Sequence, residues 1–147
     1  MSRGYFGVAV YHPKHTANIG SLWRTAHIMG AAFFATIGKR YRHQPTDTYK
    51  SIRHTPLFEY ESWDLFKTGS PRDCQIIGVE LAPQAMDLAS FTHPHRAVYV
   101  LGAEDYGLPP AVLSDCNHVV RMRGEASLNV AVAGSIVLYH REGLRGL

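Results

Sequence analysis

A chain of 147 residues, 46% hydrophobic and 11% aromatic, is one domain's worth of sequence with enough apolar matter for an ordinary core, which excludes a disordered polypeptide. No apolar run reaches the length of a membrane span, and Met1-Ser2-Arg3-Gly4 leads straight into a strand-like segment without the layout of a secretory leader. The net charge of +3 is mild but uneven: residues 39–54 (KRYRHQPTDTYKSIRH) set Lys39, Arg40, Arg42, Lys50 and Arg53 against one acid, Asp47, so this window carries +4 and the remainder of the chain −1.

In chain order, Tyr5 to Tyr11 (YFGVAVY) reads as a buried strand. Ile19, Leu22, Trp23, Ala26 and Met29 follow at helical spacing, with Asn18 placed as the N-cap and Gly30 as the terminator. Phe33 to Ile37 (FFATI) is a second strand. The basic window is then expected to be mostly loop, with a turn of helix near Asp47 to Ile52. Tyr41, Tyr49, His43 and His54 lie among its cations, a mixture suited to a polyanion with stackable bases. Charge alone does not separate that reading from a solvated loop.

Leu57 to Tyr60 is a short strand, and Ser62 caps a short helix, Trp63 to Lys67. Gln75 to Val79 (QIIGV) and Ala97 to Leu101 (AVYVL) are buried strands, and Leu88 to Phe91 between them has no clear type. Pro109-Pro110 opens a short helix ending near Ser114. Val119 to Met122 is the last strand, and Leu128 to Arg141 the last helix, apolar through Val130, Ala133, Val137 and Leu138. Such alternation predicts a single α/β domain over residues 1–147, with a mostly parallel sheet flanked by helices.

Several chemistries lack their signatures. There is no GxGxxG after the first strand, no GxxxxGK[ST], and no HExxH. Gly134-Ser135 lies within a helical pattern and forms no nucleophile elbow. Cys74 and Cys116 fit no metal spacing and read as free thiols of a reducing, cytoplasmic compartment. His12, His15, His93 and His95 are better read as scattered surface histidines than as metal ligands, so no metal is expected.

In an open parallel sheet, ligands bind beyond the carboxyl ends of the strands. Three polar, glycine-containing segments fall there: Asn18-Ile19-Gly20, Gly102-Ala103-Glu104-Asp105-Tyr106-Gly107, and Arg123-Gly124-Glu125-Ala126-Ser127-Leu128-Asn129. With their neighbours they give the motif stretches Asn18 to Arg24, Gly102 to Leu108, and Ser127-Leu128-Asn129 entering the last helix. Each alone is weakly specific. Together, in this order, they resemble the three motifs of the SpoU/TrmH family within the SPOUT superfamily of RNA methyltransferases. The resemblance covers essentially the whole chain and corresponds to a catalytic domain without an added RNA-binding domain. One stretch departs from the family: Val120-Arg121-Met122-Arg123-Gly124 stands where Ile-Pro-Met is common, and the interval to Ser127 is short.

The resemblance implies a C-terminal trefoil knot, a homodimer whose active site draws on both subunits, and S-adenosylmethionine as methyl donor to a ribose 2′-hydroxyl. The expected partner is RNA, with tRNA ahead of ribosomal RNA. Arg24 would be the catalytic arginine. An arginine pKa above ~12 argues against a free base and favours a clamp on phosphate or ribose, with proton transfer left open. Asn18, Glu104, Ser127 and Asn129 would line the catalytic pocket. Leu81, Leu101, Gly102, Met122 and Leu128 would supply backbone and apolar contacts to the adenosyl group. Arg40, Arg42, Lys50 and Arg53 would bind RNA phosphates. Plainer roles stand beside these: Asn18 and Ser127 as helix caps, Gly102 as a turn glycine, Glu104 as a solvated acid, the apolar residues as core. Two other functions stay open, an RNA-binding protein without catalysis on the same scaffold and a methyltransferase acting on an RNA base.

Overall fold

The computed structural model describes residues 4–38, 54–102, 106–124 and 128–143. Its centre is β1 (Tyr5–Tyr11), whose side chains alternate between two apolar layers as a pleated strand requires. Phe6, Val8 and Val10 face one layer and Ala9 the other. Residues 12–15 turn the chain into α1 (Thr16–Met29), and Gly30 closes that helix in the left-handed conformation (φ 92°). β2 (Phe33–Ile37) and β3 (Leu57–Tyr60) then add outward on one side of β1, all parallel.

After α2 (Trp63–Gly69), β4 (Gln75–Val79) is laid down on the other side of β1, one strand away. The slot between is filled later by β6 (Arg96–Gly102). A two-residue β5 (Met86–Asp87) and a single 3-10 turn (Leu88–Ser90) precede β6. α3 (Pro110–Asp115), β7 (His118–Arg121) and α4 (Val130–Gly143) complete the chain. The sheet order is β3-β2-β1-β6-β4-β7-β5, and every pairing is parallel.

α1 and α4 cover one face and lie against each other. Gly134 permits the approach, since a Cβ there would come within 2.5 Å of Leu22 Cδ1. α2 and α3 cover the other face through Phe66 and Val112. They are tied by Asp115, which accepts from Trp63 Nε1 and Lys67 Nζ, both at 2.8 Å. No described helix is long and apolar enough to cross a membrane.

Among the described residues the expected elements are present, with shifted ends. Ser62 Oγ accepts from Leu65 N–H as a cap should. Asn18, however, is not the N-cap of α1. The helix begins at Thr16 with His15 before it, and the Asn18 amide is engaged elsewhere. The last helix starts at Val130 rather than at Leu128, and Asn129 Oδ1 accepts from Ala131 N–H (2.9 Å) and Val132 N–H (3.4 Å). The last strand ends at Arg121, leaving Met122 just beyond it. The segment without clear type, Leu88 to Phe91, is the 3-10 turn and its exit.

The opposite, amino-terminal pole of the sheet is closed by a polar cluster. Arg141 is buried, and it donates to the carbonyls of Pro94 (2.8 Å) and His95 (3.0 Å) and to the Tyr99 hydroxyl (3.0 Å). His93 bridges Tyr99 (2.6 Å) and His140 (2.7 Å). Burial, with His140 and Arg141 nearby, pushes the His93 pKa down to about 4, and burial pushes Tyr99 up to about 12. His93 is therefore a packed structural residue rather than a scattered surface histidine. Among the described residues no group of three or more His, Cys, Asp or Glu is arranged to hold a metal.

Candidate active site

The order of the strands brings the carboxyl ends of β1, β6, β4 and β7 side by side. Tyr11 is paired with Gly102, and Val79 lies between Leu101 and Val120. Gly102, Leu81 and Met122 thus leave the sheet as neighbours, one or two residues beyond this row. An edge where neighbouring connections diverge is where open α/β sheets make their clefts.

Two of the three sequence motifs meet at this edge. Asn129 Nδ2 donates to Asn18 Oδ1 at 3.2 Å, joining positions 111 residues apart. Asn129 uses both ends of its amide: the oxygen caps α4 and the nitrogen reaches α1. The helices themselves make this possible, because their packing through Leu22 and Gly134 sets their first turns side by side.

The second motif is shaped by glycine and by a carboxylate. A Cβ on Gly102 would lie 2.3 Å from the Gly107 carbonyl carbon, so the two backbones touch. Gly107 has φ +61°, and a Cβ on it would strike Glu80 Oε2. Glu80, at the end of β4, accepts from Leu108 N–H through Oε2 (2.8 Å) and from Leu81 N–H through Oε1 (3.0 Å). One side chain therefore fixes the exit of β4 and the far side of the loop after β6.

Residues 5–139 match the SpoU rRNA Methylase family. The chain belongs to that family. A mouse relative, tRNA (guanosine(18)-2′-O)-methyltransferase TARBP1, is 27% identical over 143 residues, covering 88% of this chain and 9% of the relative. The chain spans less than two thirds of the length of the curated relatives it matches. The fold is shared with an AdoMet-bound rRNA methyltransferase from Sinorhizobium meliloti (TM-score 0.84, 22% identity, 95% of this chain and 56% of that one). It is shared equally with a protein solved in work on 2-OH methylation of C/U34 on tRNA (TM-score 0.82, 21% identity, 95% of both chains).

Within this SpoU chain the expected site residues are placed differently from one another. Asn18 and Asn129 are in contact. Leu81, Gly102, Met122 and Leu128 lie along the carboxyl edge, and Leu81 (38%) and Leu128 (45%) remain exposed there despite being large and apolar. Leu101 is 2% exposed within the core, so only its backbone is left for a ligand. Arg24 is exposed on α1, one turn beyond Gly20, and six residues from Asn18 set it about 120° around the helix from that side chain. Glu104, Ser127, Arg40, Arg42, Lys50 and Arg53, with the expected turn near Asp47 to Ile52, lie outside the described residues.

Glu80 was missed by sequence reasoning, although the signal existed. It is an acid immediately after a buried strand, the same feature that singled out Glu104. His12 reads in the sequence as a surface histidine, and it is exposed. Its backbone is at φ 50°, the one positive φ at a non-glycine among the described residues, and its imidazole lies over Gly38 and beside the Tyr11 ring (4.3 Å). Nothing in the sequence foretells that conformation.

Proposed function

We propose that this chain is an S-adenosylmethionine-dependent methyltransferase of an RNA ribose 2′-hydroxyl, with tRNA as the substrate class ahead of ribosomal RNA. It works as a single knotted catalytic domain, as a homodimer, in the cytoplasm. The observation that carries the reading is the bond between Asn129 and Asn18, which joins the first and third motifs.

The carboxyl edge fits an adenosyl group. Leu81 and Leu128 offer apolar surface, Gly102 offers backbone without a side chain, and Met122 sits half-buried beside them. Such a mixture of apolar walls and a few backbone polar groups is typical of cofactor clefts. S-adenosylmethionine supplies there an electrophilic methyl on a sulfonium. The protein's task is alignment and disposal of one proton. Asn18 and Asn129 hold each other and so fix the approach side. Arg24 clamps the substrate's phosphate and ribose by charge-assisted hydrogen bonds. Glu104 and Ser127 line the same pocket, and Arg40, Arg42, Lys50 and Arg53 hold the RNA backbone.

Two features support the dimer. Val132, Ile136 and Tyr139 are exposed at spacings of four and three along α4, a stripe of large apolar side chains facing outward, with Leu128 exposed just before the helix and Ile28 exposed on the adjoining α1. Arg24 lies on the exposed side of α1 and away from Asn18, a position suited to completing the site of a second copy.

The test is incubation of tRNA and ribosomal RNA with the protein and methyl-labelled cofactor, followed by nucleoside analysis. Label on a ribose 2′-oxygen is expected. Label on a base, or none on any RNA, refutes the reading.

A further inference from the structure

β7 runs into the stretch Val120 to Gly124, and little backbone holds its exit. On one side its pairing with β4 ends at Val120, followed by the bond from Glu80 N–H to the Val120 carbonyl. On the other side β5 pairs only Met86 with Val120 and Asp87 with Arg121. Met122 lies beyond both ladders, and with no proline in the stretch its backbone has no fixed φ.

Side chains supply the missing restraint. Asp87 Oδ1 accepts from Arg121 Nε at 3.0 Å, and Asp87 Oδ2 accepts from Arg123 Nε at 3.2 Å. Residues two apart along an extended chain share a side, so one carboxylate can grip both. Met122, between them, turns the other way and packs against the main core. The two guanidinium groups hold the Asp87 carboxyl below the usual carboxylate range, so it is charged at neutral pH.

We propose that Asp87 is a positioning residue for cofactor binding: by bridging Arg121 and Arg123 it holds the Met122 backbone in the shape that the adenosyl group requires. The proposal rests on the reading of this edge as the cofactor site. An isolated surface ion pair would contribute little. Here two arginines share one acid that is mostly shielded from solvent, and losing the acid leaves two cations facing the same point.

The experiment measures binding of S-adenosylhomocysteine by calorimetry and methyl transfer under varied cofactor. Asp87→Asn should raise Kd about tenfold, the loss expected for charge-assisted bonds. KM for the cofactor should rise with it, while kcat at saturation stays within about twofold. Asp87→Glu should restore most of the affinity. Salt at about 0.5 M should narrow the gap between wild type and Asp87→Asn, because screening weakens only the intact clamp. Arg123→Gln, at a side chain 87% exposed, weakens binding in the same direction and serves where Asp87→Asn fails to fold. Wild-type affinity in Asp87→Asn and Arg123→Gln would overturn the clamp alone. A lower Tm with unchanged Kd would overturn it too. If the wild-type chain itself bound no S-adenosylhomocysteine, the cofactor reading would fall and the clamp with it.

Discussion

Gly102→Ala places one methyl group where β6 leaves the sheet, and the contact it would make is with backbone. The new Cβ would lie 2.3 Å from the Gly107 carbonyl carbon, 2.6 Å from its Cα and 2.7 Å from its oxygen. Carbon atoms rest about 3.5 Å apart or more, so the strands of this loop must separate by about 1 Å. The displacement cannot be absorbed by a rotamer. It stretches the 2.8 Å bond from Leu108 N–H to Glu80, which also carries the Leu81 N–H. Overpacking of this size costs about 1–3 kcal/mol of stability. A 1 Å misplacement near the reacting groups costs on the order of a hundredfold in rate. Thermal unfolding and calorimetric titration with S-adenosylhomocysteine read both effects. A lower Tm together with cofactor binding at least tenfold weaker (about 1.4 kcal/mol) is expected. Unchanged affinity and Tm would mean that the loop tolerates the methyl, and that the close backbone contact has no part in the site.

Arg24→Ala should abolish methyl transfer and leave cofactor affinity nearly intact; turnover at the wild-type rate would remove its assigned role. Asn129 can be dissected by two variants, since its oxygen and nitrogen do different work. Asn129→Ala should lose about 1 kcal/mol with the cap, whereas Asn129→Asp keeps the acceptor, suits a helix N-terminus and should hold the Tm while activity falls. Full activity in Asn129→Asp would show that the contact with Asn18 is idle. Acid sensitivity should be traceable to His93. Its pKa in the folded chain is about 4, below the ordinary 6.5, so the unfolded chain takes up the proton first. Its contribution is present above pH 6.5 and is lost as pH falls toward 4, amounting to about 1–2 kcal/mol once solvent screening is allowed for. His93→Gln should flatten the Tm profile in that window; a parallel profile would refute the assignment.

The sheet was legible because buried parallel strands write themselves as short apolar runs. YFGVAVY, FFATI, QIIGV and AVYVL each became a strand with little change of boundary. β5 was not legible, since two residues carry no period and Met86–Asp87 pairs only because β7 leaves an open edge. The starts of α1 and α4 differ from the sequence reading for one physical reason. Asparagine caps helices and also makes long-range amide bonds, and local sequence cannot say which it does. Asn18 was assigned the cap and makes the bond, while Asn129 makes both.

The same asymmetry runs through the site. Motif residues are recognisable because each must be one residue type at one place. The groups that hold them are not. Glu80 and Asp87 are ordinary acids in sequence, and become clamps only when β4, β7 and β5 come together in register. Asp87 acts on Arg121 and Arg123, 34 and 36 residues away, and Glu80 on Leu108, 28 residues away. If the two acids do the holding, substitutions at Glu80 and Asp87 should be coupled to cofactor binding but not to each other, since they grip different loops. Glu80→Gln keeps one acceptor and must turn an NH2 toward a backbone N–H, so it should loosen the loop after β6. Asp87→Asn should loosen only the exit of β7. A cofactor that touches both loops would register the double variant as the sum of the two losses, within about 0.5 kcal/mol. A double variant no worse than either single one would mean that the loops move as one body and that the cleft is shaped by something other than these two carboxylates.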